Sequence, residues 1–447
     1  MYDPSCQLLS TGDFSSRLNT PLQSEAHQRY ALPSYLESDL LQLCSNNRTT
    51  IVATNYELPM SMNIHISSAF EGGSIHCVNT ETPENIVLEL KADPIGDERY
   101  WYYFRLAGGR GHTCHINITN AGDAFRLAER ESTDIPGPWI NYLACASYDR
   151  KSWFRVPTVF KDDQLKITFE PNQDVIYFAS FPPYSYDRHA NLITSVLGSP
   201  LASLEILGQT HEGRDIELLR IGETQQEKFA CWVCARQHPS ETMAEWFVEG
   251  LLERLVDADD FLARKLLSKA IFYVVPCMNP DGAWRGRTRR NGGNVDLNRE
   301  WVEPSKEKSP EVFFVQKKMR ETNVDFFMDI HGDEELPYVF LGGPLEVPSL
   351  TETMRKNFRA FQAALETANP DYKRGYKYPG GPPPTADLRM AWNYIGEEFQ
   401  CLSILVEQPF KDCEHALDLE KGWSPERSRK LGASSLVALN SVIDQLR

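Results

Sequence analysis

The spacing of hydrophobic and polar positions changes along the chain and predicts two architectures. Between residues 61 and 180, short runs alternate apolar and polar residues with the period of two that is typical of strands. These runs read NIHISSAF, NIVLELKA, YWYYFRL, HINIT, LKITFE and VIYFAS. Short strands separated by turns at this spacing favour an antiparallel two-sheet arrangement. We therefore predict a β-sandwich domain over residues 61–180.

From residue 181 to residue 447, apolar strands alternate with longer amphipathic segments. The strand runs are FACWVCA, AIFYVVP, VDFFMDI and CLSILVE. A helical pattern through Met243, Phe247 and Leu251 separates the first two. This alternation is typical of α/β domains in which helices cover both faces of the sheet. We therefore predict an α/β domain over this half of the chain.

The first sixty residues are mostly polar and are predicted to form an extension. Their clearest element is a short helix from Pro33 to Cys44, where Ser34 and Glu37 form a capping box. The first twenty residues contain no apolar run of signal-peptide length, and nowhere do about eighteen apolar residues run together. We therefore expect neither secretion nor a membrane span, and we expect a cytoplasmic protein.

Charge and cysteine content narrow the function classes. The formal net charge is -16, whereas binding to nucleic-acid phosphates needs a basic surface. We therefore expect no nucleic-acid partner. Ten cysteines are scattered through the chain without a paired framework, which is typical of reduced thiols in a cytoplasm. Cys231 and Cys234 form a CxxC inside an apolar strand run, which favours a structural role over a redox or metal role.

The best candidates for chemistry follow the predicted strands of the α/β domain. His238 and Glu241 come after FACWVCA, His331 comes after VDFFMDI, and Glu407 ends CLSILVE. Open α/β sheets place their active sites at the carboxyl ends of the strands. We therefore expect these side chains to share one site.

Two histidines and one carboxylate satisfy the usual requirement of a hydrolytic zinc site, which keeps one coordination position open. The spacing of His238 and Glu241 lets a loop and the first helical turn direct both side chains at one ion. The same HxxE pattern recurs at His331 and Glu334. Either pair alone is also compatible with an ordinary solvated loop histidine.

Five motifs follow one another in the order HPSE (238–241), NPDG (279–282), DLNR (296–299), DIHGDE (329–334) and LVEQPF (405–410). In this order they resemble the zinc metallocarboxypeptidase family, and within it the cytosolic carboxypeptidases. The resemblance spans about residues 181–447, and the preceding sandwich with FPPYSY resembles the amino-terminal β-domain of that branch. It implies a carboxypeptidase-like mixed sheet and an enzyme that removes residues from the carboxyl end of a peptide or protein.

The resemblance also implies a metal centre and a base. His238, Glu241 and His331 become the ligands of one zinc ion per chain, and Glu407 becomes the general base. These roles are chemically consistent with one another, because zinc lowers the pKa of a bound water molecule and a nearby carboxylate can accept the proton of that water. Asp329 lies two residues before His331 and is a candidate to orient that ligand, although ordinary polarity at a strand end explains it equally well.

Substrate contacts are implied in the same way. Asn298 and Arg299 match the pair that binds the free terminal carboxylate of the substrate, and a guanidinium suits a planar carboxylate because it donates two parallel hydrogen bonds. Arg289 matches the arginine that polarises the scissile carbonyl. Its register leaves Arg287 and Arg290 as alternatives.

The substrate-capping tyrosine of the wider family has no counterpart at its usual place before the late glutamate. Tyr378 lies upstream of that window and is preferred, and Tyr394 lies downstream of it. The arginines at 287 and 290 would suit a terminal glutamate side chain. Two other functions remain open, a zinc-dependent deacylase of N-acyl amino acids on the same scaffold and a non-catalytic module that binds peptide carboxyl ends. The sequence leaves the oligomeric state open.

Overall fold

The computed structural model describes residues 63–126, 137–224, 228–379 and 383–446. The predicted extension 1–60 and its helix from Pro33 to Cys44 lie outside this part of the chain. Residues 61–447 fall within one compact unit. Within it we keep 61–180 and 181–447 as the proposed domains.

The amino-terminal lobe consists of short strands, as their alternating pattern predicts. The strands are β1 (His65–Ser67), β2 (His76–Asn79), β3 (Ile86–Glu89), β4 (Tyr103–Ala107), β5 (Cys114–Ile118), β6 (Ala144–Ser147), β7 (Phe154–Val156), β8 (Thr158–Lys161), β9 (Gln164–Phe169) and β10 (Val175–Ala179). One short helix, α1 (Asp123–Arg126), follows β5. The four strands β2, β6, β7 and β8 fall outside the six predicted runs.

Two five-stranded sheets form this lobe, in the orders β1-β4-β10-β6-β7 and β2-β3-β5-β9-β8. Their ladders are antiparallel except for the parallel pair β3 and β5. Phe178 of the first sheet meets Phe169 of the second edge to face, with ring centroids 6.5 Å apart. The predicted sandwich is therefore confirmed, with one parallel pair that the alternation of the sequence did not reveal.

The carboxyl-terminal lobe contains seven strands in its described residues. They are β11 (Ala202–Gln209), β12 (Asp215–Ile221), β13 (Phe229–Ala235), β14 (Ala270–Val275), β15 (Phe326–Ile330), β16 (Phe340–Gly342) and β17 (Leu402–Glu407). The sheet order is β11-β12-β14-β13-β15-β17-β16. The four predicted strands β14, β13, β15 and β17 are mutually parallel and lie next to one another. Antiparallel strands flank them on both sides, so the sheet is mixed, as expected.

Helices cover both faces of this sheet. They are α2 (Tyr186–Leu197), α3 (Met243–Leu255), α4 (Phe261–Lys269), α5 (Pro280–Arg285), α6 (Pro310–Thr322), α7 (Glu352–Ala368), α8 (Ala391–Phe399) and α9 (Pro425–Val442). One apolar core contains Leu251 of α3 and Leu436 of α9. A second core on the opposite face contains Val312 of α6 and Ile395 of α8. The predicted α/β fold is confirmed.

The buried cysteines of β13 belong to these cores. Cys231 packs into the first core and Cys234 into the second, because residues three apart on a strand point to opposite faces. Both are fully buried and neither forms a disulfide bond, which supports the structural role predicted for the CxxC. None of the helices in the described ranges is long and apolar enough to cross a membrane.

Candidate active site

The strand order brings the candidate side chains to one edge of the sheet. β13 lies between β14 and β15, and β17 lies beside β15. The register pairs Ile330 with Val406, and the amide of His331 donates to the carbonyl of Val406 at 2.8 Å. Glu407 therefore ends its strand beside His331, and the HPSE loop leaves the neighbouring strand at the same edge.

Three of the predicted residues converge closely. His238 Nδ1 lies 2.6 Å from Glu241 Oε1, and His331 Nδ1 lies 2.8 Å from Glu241 Oε2. One ligand atom from each residue lies within 4.8 Å of the others. All three side chains are buried. The structure thus brings together the metal-ligand set that the sequence predicted.

Each histidine also directs its second ring nitrogen at a carboxylate. His238 Nε2 lies 3.2 Å from Asp296 Oδ1, and His331 Nε2 lies 3.0 Å from Asp329 Oδ1. Gln237 Nε2 donates to the same Asp329 oxygen at 2.7 Å. Such outer partners fix the orientation of an imidazole and leave the other nitrogen directed at the centre.

Charge and burial act strongly on these groups. Burial alone would raise the pKa of Glu241, but the charges of His238 and His331 outweigh it and lower the pKa to about 2. Burial would lower the pKa of His331, but Asp329 and Glu241 hold it well above its usual value. The centre is therefore a strongly coupled set of buried charges.

This donor set fits a zinc ion on its chemistry. Two imidazole nitrogens and one carboxylate are the ligands that catalytic zinc prefers, with a further position left for water or substrate. Both imidazoles have the outer carboxylate partners found at metal sites. Zinc is the cofactor of the zinc carboxypeptidases, and His238, Glu241 and His331 are the residues here that would hold it.

Glu407 and Tyr378 meet on the side of the β17 strand. The hydroxyl of Tyr378 donates to Glu407 Oε1 at 2.7 Å, and the Tyr378 ring packs edge to face on Phe340. Glu407 Oε2 is buried and has no hydrogen-bond partner among the described residues. Burial raises the pKa of Glu407 well above its usual value, and the charges of Glu241 and Asp333 add to the effect. This carboxyl group is thus suited to hold a proton.

Tyr394, the alternative tyrosine, lies elsewhere. Its hydroxyl accepts a hydrogen bond from Arg320 Nη2 of α6 at 2.9 Å. Its ring faces Trp301, with centroids 6.5 Å apart. The structure therefore separates the two candidates, because only Tyr378 contacts Glu407.

A cleft of about 370 Å³ opens beside the metal-ligand set. It is lined by His238 and Glu241, by Arg289 and Arg299, and by residues of the amino-terminal lobe that include Tyr100. Arg289 Nε donates to Asp296 Oδ2 at 2.7 Å. Because Asp296 also contacts His238, it links the arginine to the metal-ligand set.

Arg299 and Asn298 lie at the other end of the same loop. Arg299 Nη1 donates to the Asn298 carbonyl at 2.8 Å, and no carboxylate of the described residues forms an ion pair with it. The side-chain amide of Asn298 accepts from the Ala391 amide at 2.9 Å and directs Nδ2 at the His331 ring. Arg299 therefore lines the cleft, and Asn298 lies beside His331.

Arg287 and Arg290, the alternatives in register to Arg289, have other partners. Arg290 pairs with Glu98 of the amino-terminal lobe at 2.7 Å. Arg287 is buried, and its guanidinium contacts the carbonyl of Asn291. Neither lines the cleft that contains Arg289, so Arg289 is the arginine that the loop presents to it.

Sequence reasoning missed two polar residues of the site. Asp296 precedes Leu297 in DLNR, and Gln237 immediately precedes the HPSE motif. Gln237 accepts from Trp301 Nε1 at 2.8 Å, so it has partners on both sides. Asp296 is the first residue of the quoted DLNR motif, and its membership of that motif was the available signal. Gln237 has no such signal, because its role depends on the neighbouring strand.

A second set of possible metal ligands consists of His211, Asp281 and Glu311. One ligand atom from each of these residues lies within 4.8 Å of the others. Here Asp281 Oδ1 already accepts from Arg214 Nη1 and from Thr210 Oγ1, each at 2.8 Å. Its charge is therefore balanced by a guanidinium. We assign this carboxylate to holding the β11–β12 turn against α5.

Comparisons with known proteins agree with this geometry. The profile of the cytosolic carboxypeptidase N-terminal domain matches residues 66–181, and the zinc carboxypeptidase profile matches residues 198–412. Mouse cytosolic carboxypeptidase 6 is 30% identical over 320 residues, which are 66% of this chain and 58% of the mouse protein.

Two bacterial proteins are similar over almost their whole length. An uncharacterised protein of Zymomonas mobilis is 41% identical over 385 residues, covering 86% of this chain and 98% of that protein. A solved metallo-carboxypeptidase from Pseudomonas aeruginosa is 39% identical with a TM-score of 0.81, covering 86% of this chain and all of that one. The chain therefore belongs to the zinc carboxypeptidase family of hydrolases, in the branch that has the amino-terminal domain of the cytosolic carboxypeptidases.

Proposed function

We propose that the protein hydrolyses the last peptide bond of peptides or proteins and so releases carboxyl-terminal residues. The observation that carries the proposal is the convergence of His238, Glu241 and His331 beside Glu407, next to a cleft with a guanidinium that forms no ion pair with any carboxylate of the described residues. That guanidinium is Arg299. A free positive charge close to the metal-ligand set suits a substrate with a free terminal carboxylate.

In this proposal each residue has one task. Arg299 binds the terminal carboxylate, and Asn298 donates to it through Nδ2. Arg289 donates to the oxygen of the scissile carbonyl as negative charge develops there. Zinc, when bound, supplies Lewis acidity that polarises the carbonyl and lowers the pKa of water toward neutrality.

Glu407 moves the proton. It accepts a proton from the attacking water while the oxygen–carbon bond forms, and it delivers that proton to the leaving amine as the carbon–nitrogen bond breaks. The buried oxygen Oε2, which has no hydrogen-bond partner among the described residues, supports this role because it leaves an acceptor for that proton. Tyr378 donates to the second oxygen of this carboxyl group and orients it.

A pair of peptides tests the proposal directly. The zinc-loaded protein is incubated with a peptide that has a free carboxyl end and with the same peptide as its carboxyl-terminal amide. Mass spectrometry is expected to show loss of single residues from the free acid and at least 100-fold slower loss from the amide. Equal turnover of the two peptides, or cleavage at internal bonds, would contradict the role given to Arg299.

The preference for the last side chain is a finer proposal. A terminal glutamate was expected from Arg287 and Arg290, but neither arginine lines the cleft, and each already has a partner within the protein. Support for a preference for an acidic last residue therefore rests on Arg299 alone, and in the proposal Arg299 also binds the terminal carboxylate. The Pseudomonas aeruginosa protein was solved with (2-guanidinoethylmercapto)succinic acid, a compound whose name describes both a guanidinium and carboxylates, so basic ends belong in the test.

A panel of peptides that differ only in their last residue decides this preference. Glutamate, leucine and arginine ends are compared by kcat/KM. Faster turnover of the glutamate peptide supports the acidic preference, and equal turnover of glutamate and leucine contradicts it. An N-acyl amino acid in the same panel tests the deacylase alternative, because a deacylase would hydrolyse it faster than any peptide.

We also propose a cytoplasmic location. The matched amino-terminal domain belongs to proteins named cytosolic, and no disulfide bond joins the described cysteines. Fractionation of the native host, with antibody detection, tests this point.

A further inference from the structure

The amino-terminal lobe contacts the loop that carries Arg289 through one buried carboxylate. Asp93 lies between β3 and β4 and is only 5% exposed. Its Oδ1 accepts the amide of Thr288 at 2.8 Å, and its Oδ2 accepts the amides of Arg289 and Arg290, each at 2.8 Å. One side chain of one lobe thus binds three consecutive backbone amides of the other.

Neighbouring contacts connect the same loop to the HPSE motif. Ser240 Oγ donates to the Thr288 carbonyl at 2.5 Å, and the Tyr100 hydroxyl lies 3.2 Å from Ser240 Oγ. The loop is therefore held between the amino-terminal lobe on one side and the metal-ligand loop on the other. Its backbone at Thr288 has little freedom to move.

The position of Arg289 depends on this backbone. Its guanidinium reaches Asp296, and Asp296 reaches His238. If the amide of Arg289 moved, either the contact with Asp296 would break or the guanidinium would turn away from the cleft. Hydrogen bonds to an ionised acceptor are about twice as strong as neutral ones, and a backbone amide that is shielded from water and loses its acceptor is destabilising. Asp93 is the acceptor that prevents this.

We infer that Asp93 is a positioning residue for the reaction, through which the amino-terminal lobe sets the orientation of Arg289 toward the scissile carbonyl. The inference rests on the proposed function, because it gives Arg289 its place in the reaction. It also gives the amino-terminal lobe a part in catalysis. A merely structural Asp93 would contribute to stability and would leave the chemical step unchanged.

The first test compares two variants that remove contacts between the lobes. Asp93→Asn keeps the size of the side chain but removes its charge, and we expect kcat to fall about 10- to 100-fold with KM changed less than about 3-fold. Arg155→Gln is the matched control, because Arg155 of β7 also binds main-chain carbonyls of the other lobe, those of Phe410 and Trp423. We expect Arg155→Gln to lower the thermal midpoint and to leave kcat within about 2-fold.

A double-mutant cycle isolates the path through Arg289. Arg289→Ala alone should lower kcat about 100- to 1,000-fold, as loss of an oxyanion donor does. In that background Asp93→Asn should cause no further loss, since there is no guanidinium left to orient. Equal losses in both backgrounds, or a loss of kcat in Arg155→Gln equal to that in Asp93→Asn, would overturn the inference.

Hydrogen exchange provides a readout that does not depend on turnover. In Asp93→Asn the amides of residues 288–290 should exchange at least 10-fold faster than in the wild type, with one zinc ion still bound. Unchanged exchange would overturn the inference whatever the activity. If Asp93→Asn does not fold, Asp93→Glu keeps the charge but displaces it, and the same two readouts apply.

The two proposals can fail separately. If the zinc-loaded wild type releases no terminal residue from any peptide, the proposed function is wrong, and the exchange measurement alone decides whether Asp93 holds the loop. If the wild type turns over peptides and the cycle is additive, only the role of Asp93 is wrong.

Discussion

Glu407 is the residue on which the proposed chemistry depends most. Its carboxyl group is buried at the end of β17, and one of its oxygens has no hydrogen-bond partner among the described residues. A buried polar atom without a partner is costly in a purely structural role. In the proposed mechanism this oxygen has a use, because it is the acceptor for the proton of the attacking water.

Replacement of this carboxylate should remove turnover and leave the metal in place. Glu407→Gln keeps the shape of the side chain but cannot carry the proton, so kcat should fall about 10²- to 10⁴-fold. Zinc content, measured by elemental analysis, should stay at one per chain. Glu352→Gln, at an exposed position in the first turn of α7, is the control with unchanged kcat. A Glu407→Gln protein with wild-type kcat would exclude Glu407 as the base.

Asp329 should affect metal affinity rather than the chemical step. It contacts His331 Nε2 and is fully buried, and loss of such an outer partner costs about 10- to 100-fold in metal affinity. Asp329→Asn is therefore expected to lose zinc to a competing chelator at about 10- to 100-fold lower chelator concentration. Ser403→Ala, which removes a hydroxyl that donates to the Trp392 carbonyl, is the control. Equal zinc affinity in Asp329→Asn and wild type would contradict this role.

The sequence predicted site residues that lie close to one another along the chain, and it missed site residues whose partners are far away in the sequence. His238 and Glu241 are three residues apart, so one loop and one helical turn bring them together. Asp296 and Gln237 act through residues on other elements, and no spacing in the chain reveals such contacts. The sequence favoured Tyr378 only because of the loop on which it lies. Its hydrogen bond to Glu407 became visible only in the folded structure.

The helices and strands of the α/β lobe position the site residues, which lie where these elements begin or end. The helix α3 begins two residues after Glu241, so its packing fixes the HPSE loop. It packs closely on α9, because Gly432 of α9 lies against the Phe247 carbonyl and Gly250 of α3 lies against the Arg429 carbonyl. A Cβ added at Gly432 would lie 1.9 Å from the Phe247 oxygen. The helices can approach this closely only because both positions are glycine.

A methyl group at this crossing should destabilise the lobe. Gly432→Ala forces the two helices apart, and we expect a loss of about 1–3 kcal/mol in the free energy of unfolding, measured by chemical denaturation. Ser441→Ala, at an exposed position near the end of the same helix, should change it by less than about 0.5 kcal/mol. A Gly432→Ala protein of unchanged or higher stability would show that the helices can separate without cost.

The strands of the α/β sheet that the sequence did not predict lie outside its parallel core. β11, β12 and β16 are antiparallel additions to that core, and β11 and β16 form the two edges of the sheet. β11 is mostly exposed or half-buried, so it lacks the continuous apolar run that marked the central strands. Strands such as β13 and β14 are buried on both faces, and this made them easy to predict.

For the whole molecule, a buried cluster of charges joins α2 to the sheet. His189 of α2 contacts Glu217 of β12 at 2.7 Å and Glu245 of α3 at 2.8 Å, and Arg236 also pairs with Glu245. Burial alone would lower the pKa of His189, but its hydrogen bonds to the two carboxylates raise it to about 9. The folded protein therefore binds this proton more tightly than the unfolded chain does.

This difference predicts how stability depends on pH. A histidine raised from about 6.5 stabilises the fold fully below pH 6.5, and the contribution is lost as the pH rises through about 9. His189→Gln should therefore destabilise the protein most near pH 6, and the difference from wild type should shrink by up to roughly 3 kcal/mol by pH 10. Thermal midpoints across this range measure it. Ser441→Ala, which changes no ionisable group, should give no pH-dependent difference, and a constant difference for His189→Gln would contradict the account.

The central claim is that one zinc ion held by His238, Glu241 and His331 makes this protein a carboxypeptidase. The most direct measurement follows a peptide by mass spectrometry with chelated protein, and again after one equivalent of zinc is added back. The account predicts an intact peptide in the first case and, in the second, stepwise loss of residues from the carboxyl end. Unchanged hydrolysis by the zinc-free protein, or no hydrolysis after one zinc ion per chain has been restored, would contradict it.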